Sequence, residues 1–151
     1  MTHAKCLWMV LTLAAVLFPG TLYAHCEVPC GIYGDEARVA TISEHIQTIE
    51  KAMAQISELE TKTPVNNNQL VRWVMTKEAH AEKIQHIVSQ YFMTQRVKPG
   101  EEKTAAMLDV LHRMLVVAMT CKQSTDLQQT KELRRLLEAF EMLYFGHAHG
   151  K

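Results

Sequence analysis

The chain reads as all-α, an antiparallel up-down-up-down four-helix bundle. Three observations predict this. Apolar residues recur three or four apart in four successive stretches, short turn-forming strings separate those stretches, and no segment alternates like a strand. In the first stretch Val39, Ile42, Ile46, Ile49, Met53, Ile56 and Leu59 form one stripe on an otherwise polar helix. Thr63-Pro64-Val65-Asn66-Asn67-Asn68 has turn composition, and an asparagine there suits a helix N-cap. A second helix is expected over about residues 69–96, with Leu70, Val74, Ile84, Ile87, Val88 and Tyr91 as its buried side, and Lys98-Pro99-Gly100 stops it. The third, about residues 101–122, opens on two carboxylates that suit the positive end of a helix dipole. It carries Met107, Leu108, Leu111, Leu115 and Ala118. Ser124-Thr125-Asp126 separates it from a fourth, about residues 127–145, with Leu133, Leu136, Leu137, Phe140 and Leu143.

Ahead of the helices, residues 1–24 have the pattern of a secretory leader. Lys5 supplies a positive start, residues 7–18 are almost wholly apolar, and Pro19-Gly20 breaks the run before Leu22-Tyr23-Ala24. That apolar run of 12 residues is short of the ~20 needed to span a bilayer, which favours removal over anchoring. Cys26 follows His25 and Cys30 follows Pro29, so neither has the small preceding residue that lipid attachment needs. The expected domain plan is a leader at 1–24 cut by signal peptidase, a short segment at 25–33, and the helical domain at 34–151. The mature chain is then exported, periplasmic or extracellular, with no membrane attachment after processing.

The full chain has 16 basic and 16 acidic side chains, and loss of Lys5 leaves one more acid than base. Such neutrality argues against a nucleic-acid or anionic-membrane binder. There is no glycine-rich phosphate loop and no Gly-x-Ser-x-Gly elbow.

Chemistry concentrates in His25-Cys26-Glu27-Val28-Pro29-Cys30-Gly31-Ile32-Tyr33. Cleavage after Ala24 makes His25 the first residue, so its α-amine and imidazole can bind one ion together. The thiolates of Cys26 and Cys30, and the Cys26 backbone nitrogen if deprotonated, can complete the set. Pro29, with no N–H and a fixed φ, helps the chain fold back so that both sulfurs face one point. Mixed nitrogen and sulfur donors in a plane favour nickel(II) or copper(II) over tetrahedral zinc. Anionic sulfur also stabilises a higher oxidation state, which points to one-electron cycling. The bundle thus carries an N-terminal metal-binding hook. Two other readings stand beside this one: a non-catalytic exported copper or nickel carrier built on the same His and Cys residues, and an exported helical protein whose Cys26 and Cys30 form only a disulfide.

His-Cys-x-x-Pro-Cys-Gly-x-Tyr at a processed terminus, followed by a helical bundle of this length, closely resembles nickel superoxide dismutase. Local strings such as Thr76-Lys77-Glu78 and Gln90-Tyr91-Phe92 extend the likeness into the body of the chain. The resemblance implies one nickel ion per chain, held by the amine and imidazole of His25, the amide nitrogen and thiolate of Cys26, and the thiolate of Cys30. It implies disproportionation of superoxide to oxygen and hydrogen peroxide by Ni(II)/Ni(III) cycling, with the imidazole axial in the oxidised state only. Tyr33 matches the tyrosine that limits access to the metal, and a homohexamer is the expected assembly.

Two positions depart from the family pattern. Aligning Ala37-Arg38 puts Ala40 where family members hold the imidazole with a glutamate, and aligning Lys77-Glu78 puts His80 where they use an arginine. Partners of a ligating histidine orient it and tune its basicity. The expectation is that His80 takes over as the imidazole's anchor, with Glu44 or Glu78 behind it. Elsewhere the blander readings hold. Cys121 is expected as a buried thiol, His45, His86 and His112 as surface or interface residues, and His147 and His149 as part of a polar tail. Met53, Met107 and Met114 fall at core spacing, and Trp73, Tyr91 and Phe92 suit core or interface. Arg38, Arg72, Lys77 and Lys83 are candidate sources of a local positive field for an anionic substrate.

Overall fold

A computed structural model describes Trp8 and residues 30–147. The chain divides into two compact units between Tyr33 and Gly34. Of the first, the described residues are Trp8 and Cys30–Tyr33, all exposed. The rest of the expected leader, together with His25 and Cys26, lies outside the described residues.

The second unit contains four helices and, among the described residues, no strand. They are α1 (Asp35–Glu60), α2 (Asn67–His86) running on without a break into a π-helical segment (Ile87–Arg96), α3 (Thr104–Gln123) and α4 (Leu127–Tyr144). α1 packs against α2 and α4, α2 against α3, and α3 against α4, so each helix has two neighbours around one core.

The α1 stripe is buried along its whole length, Val39, Ile42, Ile46, Ile49, Met53, Ile56 and Leu59 all facing inward as their spacing predicts. On α2 the Asn66 side chain accepts the Gln69 N–H at 3.2 Å, the expected cap. Ile84, Ile87, Val88 and Tyr91 are buried. Leu70 and Val74 are only half-buried. Their end of α2 runs past α3, because Lys77, one turn further in, already bonds to the carbonyls that close α3. Asp126 caps α4 through the Gln128 N–H at 2.9 Å. Phe92, Phe140 and Tyr144 then meet in one aromatic cluster, with ring centroids 4.8 Å apart for Phe92–Phe140 and 5.2 Å for Phe140–Tyr144.

Two expectations need correction. The third helix starts at Thr104, leaving Glu101 and Glu102 outside its first turn. The Pro99-Gly100 turn, with Gly100 at φ +85°, must finish first, and it continues through a Thr104 N–H to Glu101 C=O bond of 3.1 Å. The second helix does extend to Arg96, but its last ten residues are π-helical. The Val97 N–H reaches back five residues to Phe92 C=O at 2.9 Å.

Candidate metal centre

The described part of the hook is its C-terminal end. Cys30 and Tyr33 are exposed, and Gly31 between them takes φ +79°, a left-handed turn that a side chain would strain. His25 and Cys26 lie outside the described residues, so the donor set read from the sequence is seen here only through Cys30.

At the start of α1, directly after the hook in sequence, the geometry is dense. Asp35, the first residue of α1, receives the Arg96 guanidinium as a fork, Nε to Oδ1 at 2.9 Å and Nη2 to Oδ2 at 2.7 Å. The Tyr91 hydroxyl donates to Oδ1 at 2.5 Å and the Tyr144 hydroxyl to Oδ2 at 2.8 Å. The Gly34 N–H in turn donates to the Tyr91 hydroxyl at 3.0 Å. Burial raises the Asp35 carboxyl, but the bonds from Arg96, Tyr91 and Tyr144 outweigh it and hold the group below its usual range. Burial, then the hydrogen bond to Asp35 and its charge, pushes both Tyr91 and Tyr144 up to about 12, so both remain donors. Sequence reading missed this cluster. Nothing in the sequence sets Asp35 apart from an ordinary first-turn carboxylate, and Tyr91 and Arg96 sit five apart, a spacing that in an α-helix puts them on different faces.

His80, the expected anchor, is half-buried on α2 with its Nδ1 3.1 Å from Nδ1 of His45 on α1. The rings meet edge to face with centroids 4.8 Å apart. Neither Glu44 nor Glu78 hydrogen-bonds to His80, and both carboxylates are exposed; the group behind His80 is His45. Burial lowers the pKa of His45, as do the charges of His80 and Lys83, while Glu44 pulls the other way. Burial, then Lys83, also lowers His80. Both shifts favour the uncharged imidazoles. Ala40 is exposed and offers no polar group in place of a glutamate.

The family model for nickel-containing superoxide dismutase matches residues 21–148. The chain belongs to the nickel-containing superoxide dismutases. It is an oxidoreductase that disproportionates superoxide to oxygen and hydrogen peroxide, and its cofactor is nickel. Nothing supports the carrier alternative. No curated protein and no solved structure matches the chain.

The chemistry of the dismutase's donors fits nickel at the hook. Cys121 is fully buried, and burial pushes its thiol up to about 11 despite the nearby Lys77 charge, so it stays protonated and is a poor ligand. Among the described residues no three His, Cys, Asp or Glu side chains converge on a point. Cys30, by contrast, is exposed. Steering of superoxide needs one correction. Lys77 is 4 % exposed, and its ammonium donates to the carbonyls of Cys121, Lys122 and Ser124 at 2.7, 2.6 and 3.2 Å. It closes α3, and its ammonium is not displayed at the surface for an anion to meet. Arg38 lies over the Tyr91 ring, 5.2 Å from its centroid, and keeps its charge at the bundle surface.

Proposed function

We propose that this dismutase works through a hook at a processed N-terminus. His25 binds nickel by its α-amine and imidazole, Cys26 by its thiolate and amide nitrogen, and Cys30 by its thiolate. The observation that carries the reading is that the family match runs across residues 25–33, the segment holding those donors. Nickel, when bound, supplies the one-electron cycling that dismutation requires, with thiolate donors making its trivalent state accessible. The chain's own residues do the rest. Tyr33 restricts what approaches the ion. His80 holds the imidazole of His25, with His45 fixing the orientation of His80. The thiolates must remain reduced until loading, which makes export and metal insertion interdependent.

The same reading has residues 1–24 removed by signal peptidase, with the enzyme exported to the periplasm or beyond the cell. The bundle is up-down-up-down. Support comes from paired bonds along each helix interface: Asp35–Arg96 with His45–His80 for α1 and α2, and Lys77–Cys121 with Gln85–Leu115 for α2 and α3. Lys103–Leu143 with Arg113–Glu132 serves α3 and α4, and Asp35–Tyr144 with Glu50–Arg134 serves α1 and α4. In each pair one helix ascends as the other descends. The assembly is a homohexamer. α3 supports it, being by length and composition apolar enough to cross a membrane, with mean hydropathy 1.4 and only 28 % of that stretch buried within one chain. Val116 and Met119 on α3 and Val71 and Met75 on α2 remain exposed for a neighbouring copy.

The test is nickel content and N-terminal sequence of the enzyme from its own cells. About one nickel per chain is expected, since five such donors fill one ion. The chain should begin at His25, and Cys26→Ser or Cys30→Ser should lose both nickel and superoxide removal. Nickel retained after both thiols are replaced would overturn the assignment. A His80→Ala enzyme with full activity and an unchanged nickel spectrum would remove His80 from it.

A further inference from the structure

Gly34 and Asp35, four and five residues after Cys30, are both tied down by side chains from distant parts of the chain. The Gly34 N–H is held by the Tyr91 hydroxyl, and the Asp35 carboxylate by Tyr91, Arg96 and Tyr144. A carboxylate in the first turn ordinarily serves the free N–H groups of its own helix. Here α1 has no side-chain cap, and Asp35 is turned instead toward the π segment and α4.

The π segment is what makes this arrangement reachable. With bonds running five residues back, positions five apart come round to the same side of the helix, which brings Tyr91 and Arg96 onto the same carboxylate. Side chains reinforce the pitch: Thr94 Oγ1 donates to Ser89 C=O at 2.7 Å and Gln95 Nε2 to Gln90 C=O at 3.0 Å, each five residues back. An α-helical continuation would rotate Arg96 away from Asp35. π-helices are uncommon because α-bonding competes with them, and they concentrate at functional sites. Only 15 % of the Asp35 side chain and 24 % of that of Arg96 are exposed, so the ion pair is well shielded and geometrically fixed.

We propose that Asp35 is a positioning residue for the nickel hook, clamping Gly34, the residue that directly follows the hook. This rests on the reading that the hook holds nickel. Asp35 touches neither ion nor superoxide; it acts through the backbone of Gly34. Tyr91, Arg96 and Tyr144 are the other jaws of the clamp.

The test compares the processed, nickel-loaded wild type with Asp35→Asn and Arg96→Lys, and with Tyr144→Phe, which removes a single hydroxyl if the charge variants fold poorly. Amide hydrogen exchange over residues 30–36 reads the clamp, and the nickel electron-spin spectrum with the rate of nickel loss to a chelator reads the hook. Exchange over residues 30–36 should rise about tenfold in Asp35→Asn, from loss of charge-assisted bonds, while the helix cores keep their protection. Nickel should be lost about tenfold faster or more, with a shifted or heterogeneous spectrum, as for other groups that orient metal ligands. Arg96→Lys, which keeps the charge but not the fork, should fall between. Unchanged exchange at residues 30–36 overturns the clamp. Faster exchange with the wild-type spectrum and wild-type nickel loss makes Asp35 structural only and overturns its positioning role. A wild-type enzyme without nickel at the hook overturns the proposed function itself, and the exchange data then report on the clamp alone.

Discussion

Nδ1 of His80 on α2 and Nδ1 of His45 on α1 share a hydrogen bond of 3.1 Å, a contact that requires one ring to donate and the other to accept. Both rings cannot carry two protons without breaking it. Burial lowers both pKa values from the ordinary 6.5, so the folded state binds protons less readily than the unfolded chain. Stability from the pair is therefore complete above about 6.5 and is lost as pH falls through the lowered folded values. Urea midpoints at about pH 7.5 and pH 5.5 should drop more for the wild type than for His45→Phe/His80→Phe. Equal drops would show that the pair does not titrate with folding.

Lys77 holds three carbonyls at the end of α3 from within the bundle. Lys77→Met should cost about 3 kcal/mol, the scale of charge-assisted bonds lost with their acceptors left buried. Superoxide removal per bound nickel should stay at the wild-type rate, because the ammonium is buried and offers an approaching anion no surface contact. A fall in rate at high nickel occupancy would return Lys77 to the steering field.

Cys121 is a protonated core thiol, its pKa raised by burial to about 11. Cys121→Ser should leave nickel per chain unchanged while lowering stability by about 1–3 kcal/mol, the cost of a hydroxyl in a thiol's apolar place. A loss of bound nickel in a folded variant would make it a ligand after all.

Phe92 is fully buried between Tyr91, Phe140 and Tyr144. Phe92→Ala should destabilise the bundle by about 3–5 kcal/mol through lost burial and the cavity left behind. It should also loosen the Tyr91 and Tyr144 hydroxyls on Asp35, so thermal melting followed with hydrogen exchange at Gly34 should show both changes in one variant. A variant that melted early with Gly34 still protected would separate the aromatic cluster from the clamp.

The legible parts were those governed by local chemistry. The α1 stripe could be read residue by residue because a 3.6-residue repeat leaves one apolar face, and that face is buried from Val39 to Leu59. Asn66 was legible as a cap for the same local reason. Glu101 and Glu102 misled because two carboxylates ahead of an apolar run look like a helix start, yet the Pro99-Gly100 turn needed those residues first. Lys77 misled because nothing local distinguishes a solvated lysine from one aimed at carbonyls 44 to 47 positions away.

By itself the sequence determined the helical architecture, the core faces and the donor string at residues 25–33. Each depends on neighbours in the chain, through periodicity, turn chemistry or the identity of metal-binding atoms. Tertiary structure alone decided that His45 stands behind His80, that Lys77 closes α3, and that residues 87–96 take the π pitch. The physical reason is common to all three. A buried charge or ring nitrogen must find its partner wherever packing brings one, and only the folded bundle brings α1, α2, the π segment and α4 to the same few atoms.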